Sequence, residues 1–249
     1  MTTQPQLSII TVALDETSRL STTLESLLDL DSRVEHITVS PSNDLVSQTT
    51  WNSARTSKKP NFHLYFDKGL GLYDAMNLGA LKCKGKYIVF WNAGDVITES
   101  ESLYSLLGKL ELTSANWAIC QAKATWANLS STTVQTLIDF ILGKKGSFIS
   151  HPTIFIRRDR FLELGGFNLS YVVAADTDLV HRMYKFGLPE ICSEVVVEVE
   201  PPAYAAEHHR RARVESFVIK FRHLNGRIRV QALTRVISSE FQQLLRKKV

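Results

Sequence analysis

The feature that most constrains this chain is an alternation of short β-rich runs with helix-period stretches. That pattern leaves few folds besides a mostly parallel sheet with helices on both faces. Leu7–Ala13 (LSIITVA) reads as a strand, and the stretch after it sets Leu20, Leu24, Leu27 and Leu28 on one helical face. Further strands are predicted over Val34–Val39, Phe62–Phe66 and Tyr87–Trp91 (YIVFW), with a helix over Leu72–Lys84 and another over Glu99–Leu110. In open sheets of this kind ligands collect beyond the carboxyl ends of the strands. The residues directly after YIVFW are therefore the first candidates for a site.

Composition and charge exclude several classes. With 249 residues, 44% apolar and 22% charged, the chain is long enough for a sizeable core and ordinary enough not to be low-complexity. No run reaches the 18 or so apolar residues of a spanning helix, and Met1–Gln6 lacks the basic start of a secretory signal. A cytosolic protein is predicted. Cys83, Cys120 and Cys192 are far apart and form no CxxC pair, which suits reduced core thiols better than a zinc cluster or a disulfide framework. Residues 208–249 hold eleven Lys/Arg and two Asp/Glu, a net of +9, whereas residues 1–207 carry a net of −5. A basic tail follows an acidic body, and the only boundary is drawn near Glu207.

Asn92-Ala93-Gly94-Asp95 follows the YIVFW strand, so Asp95 is expected to stand exposed at a strand end. Two readings stand side by side: a turn whose Asp caps the next helix, and a carboxylate facing a ligand. The surrounding block adds to the second. Asp67-Lys68-Gly69-Leu70-Gly71-Leu72-Tyr73-Asp74-Ala75-Met76-Asn77-Leu78-Gly79, followed by Gly85-Lys86-Tyr87-Ile88-Val89-Phe90-Trp91-Asn92-Ala93-Gly94-Asp95, resembles the family 2 glycosyltransferases. The similar branch reads "DKGIYDAMNKG" and then "GEYILFLNAGD". The likeness covers roughly residues 5–200.

The resemblance implies an α/β fold of the GT-A type: a mostly parallel, Rossmann-like sheet flanked by helices, here with a C-terminal helical tail. It implies a domain over 1–207, with a nucleotide-sugar-binding half over about 1–110 and an acceptor half over 111–207, then the tail at 208–249. In the family an acidic motif after the fourth strand holds Mn2+ or Mg2+ on the donor diphosphate. Asp95 is the carboxylate that remains here, and one acid suffices for a cation that keeps its waters and substrate phosphates. Asn92 would add an amide oxygen.

After the second strand the family's base-gripping Asp is replaced by Ser40, and Asp44 is either a retained second acid or the cap of the following turn. Asp67 and Asn77 match positions lining the nucleotide pocket, and Asp74 lies three residues before Asn77 on the same helix face. For these three, a loop or a solvated helix surface is the competing reading.

In the second half, Ser150-His151-Pro152, Gly165-Gly166-Phe167 and Ala174-Ala175-Asp176-Thr177-Asp178-Leu179 again resemble the family, in which the position of Asp176 is the presumed catalytic base. Inverting displacement of a nucleoside diphosphate needs a carboxylate to deprotonate the acceptor hydroxyl, which explains a lone Asp there. Capping of its helix is the competing role for Asp176. Asp178 and Arg182 are spaced as an i,i+4 ion pair. His151 faces a sugar or is structural, Gly165-Gly166 makes a turn, and Arg157, Arg158 and Arg160 bind phosphate or are surface charge. Lys144-Lys145-Gly146 has the composition of a lid, and His208-His209 stand where some GT-A enzymes place a late metal ligand.

In the tail, Phe217, Phe221, Leu224 and Ile228, then Val230, Leu233, Ile237, Phe241 and Leu244, predict two amphipathic helices with a break at Asn225-Gly226. Their basic faces suit an anionic inner-membrane surface, and folding back onto the body is the alternative. Nucleic acid is not an expected partner, because no aromatics are placed to stack on bases. The expected function is inverting, metal-dependent transfer from a nucleotide-sugar donor to a saccharide or lipid-linked acceptor in surface polysaccharide biosynthesis. The competing function is a catalytically impaired donor-binding or scaffold homologue, suggested by Ser40, Asn92, Gly94 and Ala175.

Overall fold

The apolar, β-branched runs form the interior of one sheet in the computed structural model, which describes residues 4–14, 17–55, 61–124, 132–141, 149–201 and 207–223. β1 (Leu7–Val12), β2 (Val34–Pro41), β3 (Phe62–Asp67) and β4 (Tyr87–Asn92) run parallel in the order β3-β2-β1-β4. Their crossovers contain α1 (Ser18–Ser26), α2 (Leu45–Arg55) and α3 (Leu72–Lys82). Parallel strands need helical crossovers that cover both faces, and so β1, β2 and β4 are buried almost throughout.

The chain then adds β5 (Val96–Ile97), α4 (Ser100–Thr113), β6 (Trp117–Lys123), α5 (Val134–Ile141), β7 (Ile154–Arg157), α6 (Arg158–Glu163), α7 (Ala175–Met183), β8 (Glu190–Glu198) and α8 (His209–His223). Among the described residues the sheet has eight strands, β3-β2-β1-β4-β7-β6-β8-β5, with β7 antiparallel to β4 and β6 and β5 antiparallel to β8. Because the order reverses beside β1, with β2 on one side and β4 on the other, the carboxyl ends of β1 and β4 flank the switch point where open sheets bind ligands. Val12 pairs with both Val39 and Asn92, and Pro41 pairs with Asp67, which brings the four strand ends to one edge.

Apolar clusters hold the layers. One packs Ile10, Val39, Met76 and Phe90 between the sheet and α3, and another packs Ile9, Val89, Trp91, Leu103 and Leu107 beneath α4. Each such large side chain contributes about 1.5–3 kcal/mol when fully buried. Gly79 lets α3 approach β1, because a Cβ there would lie 2.5 Å from Ile10 Cγ2. At the amino edge, away from the site, the buried Glu35 carboxylate accepts Ser8 Oγ at 2.6 Å and the Gly85 amide at 2.9 Å, and also the Lys84 amide. Cys83, Cys120 and Cys192 are buried and unpaired.

The tail differs from its sequence pattern. α8 begins at His209, ahead of the apolar period that opens at Phe217. It buries Glu215 and Ile219, whereas Phe221 is 36% exposed. The face is rotated because a carboxylate, which the apolar period does not count, is one of the groups driven inward. The Asn225-Gly226 break, the second predicted tail helix and Lys144-Lys145-Gly146 lie outside the described residues. Among the described residues no helix is long and apolar enough to cross a membrane.

Candidate active site

Ser40, Asp67 and Asn92 stand at the carboxyl edge of β2, β3 and β4, and Asp44 and Asp95 follow in the loops. Ser40 Oγ donates to Asp44 Oδ2 at 3.1 Å, and Asp44 Oδ1 accepts the Ser47 amide at 3.0 Å. Asp44 thus caps α2 and at the same time fixes Ser40. Asp67 is 8% exposed and accepts the Gly69 amide at 2.8 Å, closing a turn in which Gly69 has φ +66°. That conformation favours glycine. Asp74 sits half-buried in the first turn of α3, on the face it shares with Asn77.

Asp95 is the most enclosed acid of this edge, with no solvent exposure. Its Oδ2 accepts the Asn92 amide at 2.7 Å and its Oδ1 the Glu200 amide at 2.9 Å. Thr23 Oγ1 of α1 ties the same turn down, donating to Asp95 O at 2.9 Å and accepting the Gly94 amide at 2.8 Å. Burial pushes the Asp95 carboxyl up to about 6, against the pull of the Glu200 and Asn92 amides. Gly94 has φ +104°, and a Cβ on it would collide with the Glu200 side chain.

A cation shared with a diphosphate needs a carboxylate oxygen open to the cleft. Asp95 does not fit that role, since both of its oxygens are held by backbone amides and neither reaches the surface. Asn92 and Gly94 bring no carboxylate. Among the described residues no group of three His, Cys, Asp or Glu side chains is disposed to hold a metal, His208-His209 included.

Asp176 has a different environment. It lies in the first turn of α7, where Oδ1 accepts the Thr177 amide at 2.7 Å. Its Oδ2 faces His151 Nδ1 at 3.8 Å, beyond hydrogen-bond range, and the two side chains are 19% and 23% exposed. Burial pushes Asp176 up to about 6, while the Thr177 amide pulls it down. Burial holds His151 down to about 4, so the imidazole is neutral at pH 7. Its Nε2 is buried with no hydrogen-bond partner among the described residues. His151 opens a single 3-10 turn before β7, and Trp91 Nε1 of β4 donates to the Pro152 carbonyl at 3.1 Å, which ties this turn to the end of β4.

Other sequence candidates are spent on scaffolding. Asn77 brackets the Phe167 backbone, donating to its carbonyl at 3.0 Å and accepting its amide at 2.8 Å. Asp178 pairs with Arg182 at 2.6 Å with i,i+4 spacing, and Arg182 also reaches the carbonyls of Leu164 and Gly166, clamping the glycine turn. Arg157 pairs with Asp159, Arg158 caps the end of α3 through the Ala80 and Leu81 carbonyls, and Arg160 pairs with Glu163. No hydrogen bond or ion pair among the described residues joins Asp95 to Asp176. Two groups were not found from the sequence: Tyr73, whose hydroxyl donates to the Val173 carbonyl at 2.8 Å, and the buried Glu215. The signal for Glu215 was present, an acid in a segment of eleven bases.

A mostly parallel sheet with this strand order and a candidate site at its carboxyl edge is an α/β architecture of the GT-A type. The glycosyl transferase family 2 profile matches residues 8–165, and the chain belongs to that family. The PGL/p-HBAD biosynthesis glycosyltransferases of Mycobacterium bovis (strain BCG / Pasteur 1173P2) and Mycobacterium tuberculosis (strain ATCC 25177 / H37Ra) are each 29% identical over 127 residues. That match spans 49% of this chain and 46% of each relative. S. aureus TarS 1-349 in complex with UDP superposes with a TM-score of 0.70 at 15% identity, covering 94% of this chain and 72% of that one. The mannosyltransferase PcManGT from Pyrobaculum calidifontis, in complex with GDP-Man and Mn2+, gives 0.66 at 17% identity, covering 90% and 66%.

Proposed function

We propose that the chain is an inverting glycosyltransferase that moves a sugar from a nucleotide-sugar to a hydroxyl of a saccharide or lipid-linked acceptor, with Asp176 as the base. The observation that carries the reading is the state of Asp176, a half-buried carboxyl pushed up to about 6 whose Oδ2 accepts no hydrogen bond among the described residues. A base with a pKa just under the working pH is ionised yet strong enough to draw a proton. The acceptor hydroxyl loses its proton to Asp176 Oδ2 as its oxygen attacks the anomeric carbon, and the nucleoside diphosphate leaves from the opposite face. Neutral His151 stands beside Asp176 Oδ2 at 3.8 Å without bonding it.

The donor is proposed to lie along the edge formed by Asp67, Asp74 and Asn92, with the buried Ser40 and Asp44, and with Asn77, acting through the backbone they fix. UDP- and GDP-linked sugars are the first donors to try, in keeping with the ligands of the two structural neighbours. The test is release of nucleoside diphosphate from UDP-GlcNAc and from GDP-mannose in Mn2+, in Mg2+ and in EDTA, with and without a saccharide acceptor. Release that Asp176→Asn abolishes supports the assignment.

A second reading, a donor-binding homologue that does not transfer, draws on the lack of any exposed carboxylate at Asn92, Gly94 or Asp95. Donor binding without release under every condition favours it. The proposed setting is surface polysaccharide assembly, with residues 208–249 on an anionic inner-membrane face because of their net charge of +9. Flotation with anionic liposomes that is unchanged by deleting 224–249 removes the outer tail from that role.

A further inference from the structure

Glu215 is 8% exposed, an acid buried at the middle of a basic helix. Its carboxylate accepts three consecutive backbone amides, those of Val172 at 3.0 Å, Val173 at 2.8 Å and Ala174 at 3.0 Å. These amides belong to the segment that enters α7. Such a segment usually satisfies its exposed N–H groups with its own Ser, Thr, Asp or Asn. Val172-Val173-Ala174-Ala175 offers none, and α7 has no side-chain cap at Ala174. The anion comes instead from α8, about forty residues along the chain, and its charge also suits the positive end of α7. Arg211 completes it, donating to Glu215 Oε1 at 2.8 Å.

The other polar face of the same segment is held from α3, by the Tyr73 hydroxyl on the Val173 carbonyl at 2.8 Å. Tyr73 and Glu215 therefore fix the backbone of residues 172–174 from opposite sides, with Asp176 two residues beyond. A carboxylate that must meet a hydroxyl in a narrow geometry needs its backbone held this firmly, since a displacement of about 1 Å costs on the order of 100-fold in rate.

We propose that Glu215 is a positioning residue for Asp176: it supplies from α8 the anion that the entrance to α7 lacks, and so sets where the Asp176 carboxylate stands. This inference rests on the reading of Asp176 as the base. It makes α8 part of the catalytic architecture.

The experiment compares full-length Glu215→Gln, Glu215→Asp, Tyr73→Phe and Asp176→Asn with the parent chain by two readouts. Amide hydrogen exchange needs no substrate. Glu215→Gln is expected to speed exchange at residues 172–174 about tenfold or more, leaving β1 and β4 protected, and unchanged exchange there overturns the inference. With UDP-GlcNAc or GDP-mannose as the probe, whichever the parent chain turns over, Glu215→Gln is expected to lower kcat at least tenfold at unchanged donor KM. Glu215→Asp should restore part of the loss, and Tyr73→Phe should act in the same direction. A lowered thermal midpoint with kcat per folded molecule intact means a merely structural role and overturns the proposal. Should Glu215→Gln not fold, Tyr73→Phe decides by the same readouts. Full turnover by Asp176→Asn removes the base reading and this inference with it, whereas a dead Asp176→Asn beside a fully active Glu215→Gln removes only the inference.

Discussion

Asp95 and Asp176 invite comparison because burial pushes both up to about 6, yet their surroundings differ, and the roles we propose for them are opposite. Asp95 is enclosed on all sides, with an amide on each oxygen and a threonine binding its turn to α1. Asp176 has one amide on one oxygen and a neutral imidazole facing the other. A raised pKa alone therefore does not separate a structural acid from a chemical one. What separates them is whether the carboxylate retains an unsatisfied oxygen on an approachable face.

The largest effect should come from Asp176→Asn. Loss of a general base removes about 100- to 10,000-fold in turnover, and donor affinity should stay within about twofold, measured by steady-state release and by calorimetry. The same substitution is expected to raise the thermal midpoint by a few degrees. The folded-state pKa of Asp176 lies above the ordinary aspartate range, so its contribution to stability is fully present below that range and lost as pH rises through about 6. At pH 7 the ionised acid costs the fold roughly 1–3 kcal/mol, which a neutral amide spares. A midpoint that falls would place Asp176 with Asp95 among the structural acids.

Asp95→Ala should do the reverse, costing about 2–4 kcal/mol by stranding the Asn92 and Glu200 amides. Thermal melts in Mn2+ and in EDTA should show the same loss. A loss confined to the Mn2+ samples would return Asp95 to the role of metal ligand.

Acid should sharpen the contrast further. Turnover requires ionised Asp176, so kcat should fall about tenfold per unit below about pH 6 and level off above it. Stability should move the other way over the same interval, because both acids are better tolerated when protonated. The smallest effect belongs to Asn77→Ala, which frees the Phe167 backbone at a cost of about 1–3 kcal/mol and should leave donor affinity near normal. A loss of donor affinity beyond about tenfold would mean that Asn77 meets the ligand itself.

The strands and helices of the first half were legible because their burial follows period and length, as at LSIITVA, YIVFW and the Leu20–Leu24 face. The Asp178–Arg182 pair was legible for the same reason, its spacing being local. What pattern could not give was partnership across the chain. Asp95 read as an exposed carboxylate because it follows a strand, and only the distant Glu200 amide and Thr23 hydroxyl enclose it. Phe217 and Phe221 read as the buried face of α8, but the three amides of residues 172–174 draw Glu215 inward and turn the helix. Long-range hydrogen bonds of this kind leave no trace in a hydrophobic period.

The most direct measurement is a crystal structure of the full chain with UDP and Mn2+, using the manganese anomalous signal to locate the ion. The predicted result is a diphosphate along the Asp67, Asp74 and Asn92 edge, an Asp176 carboxylate open to the same cleft, and no manganese within bonding distance of Asp95. Manganese bound directly to an Asp95 oxygen, or an Asp176 walled off from the nucleotide, would contradict it.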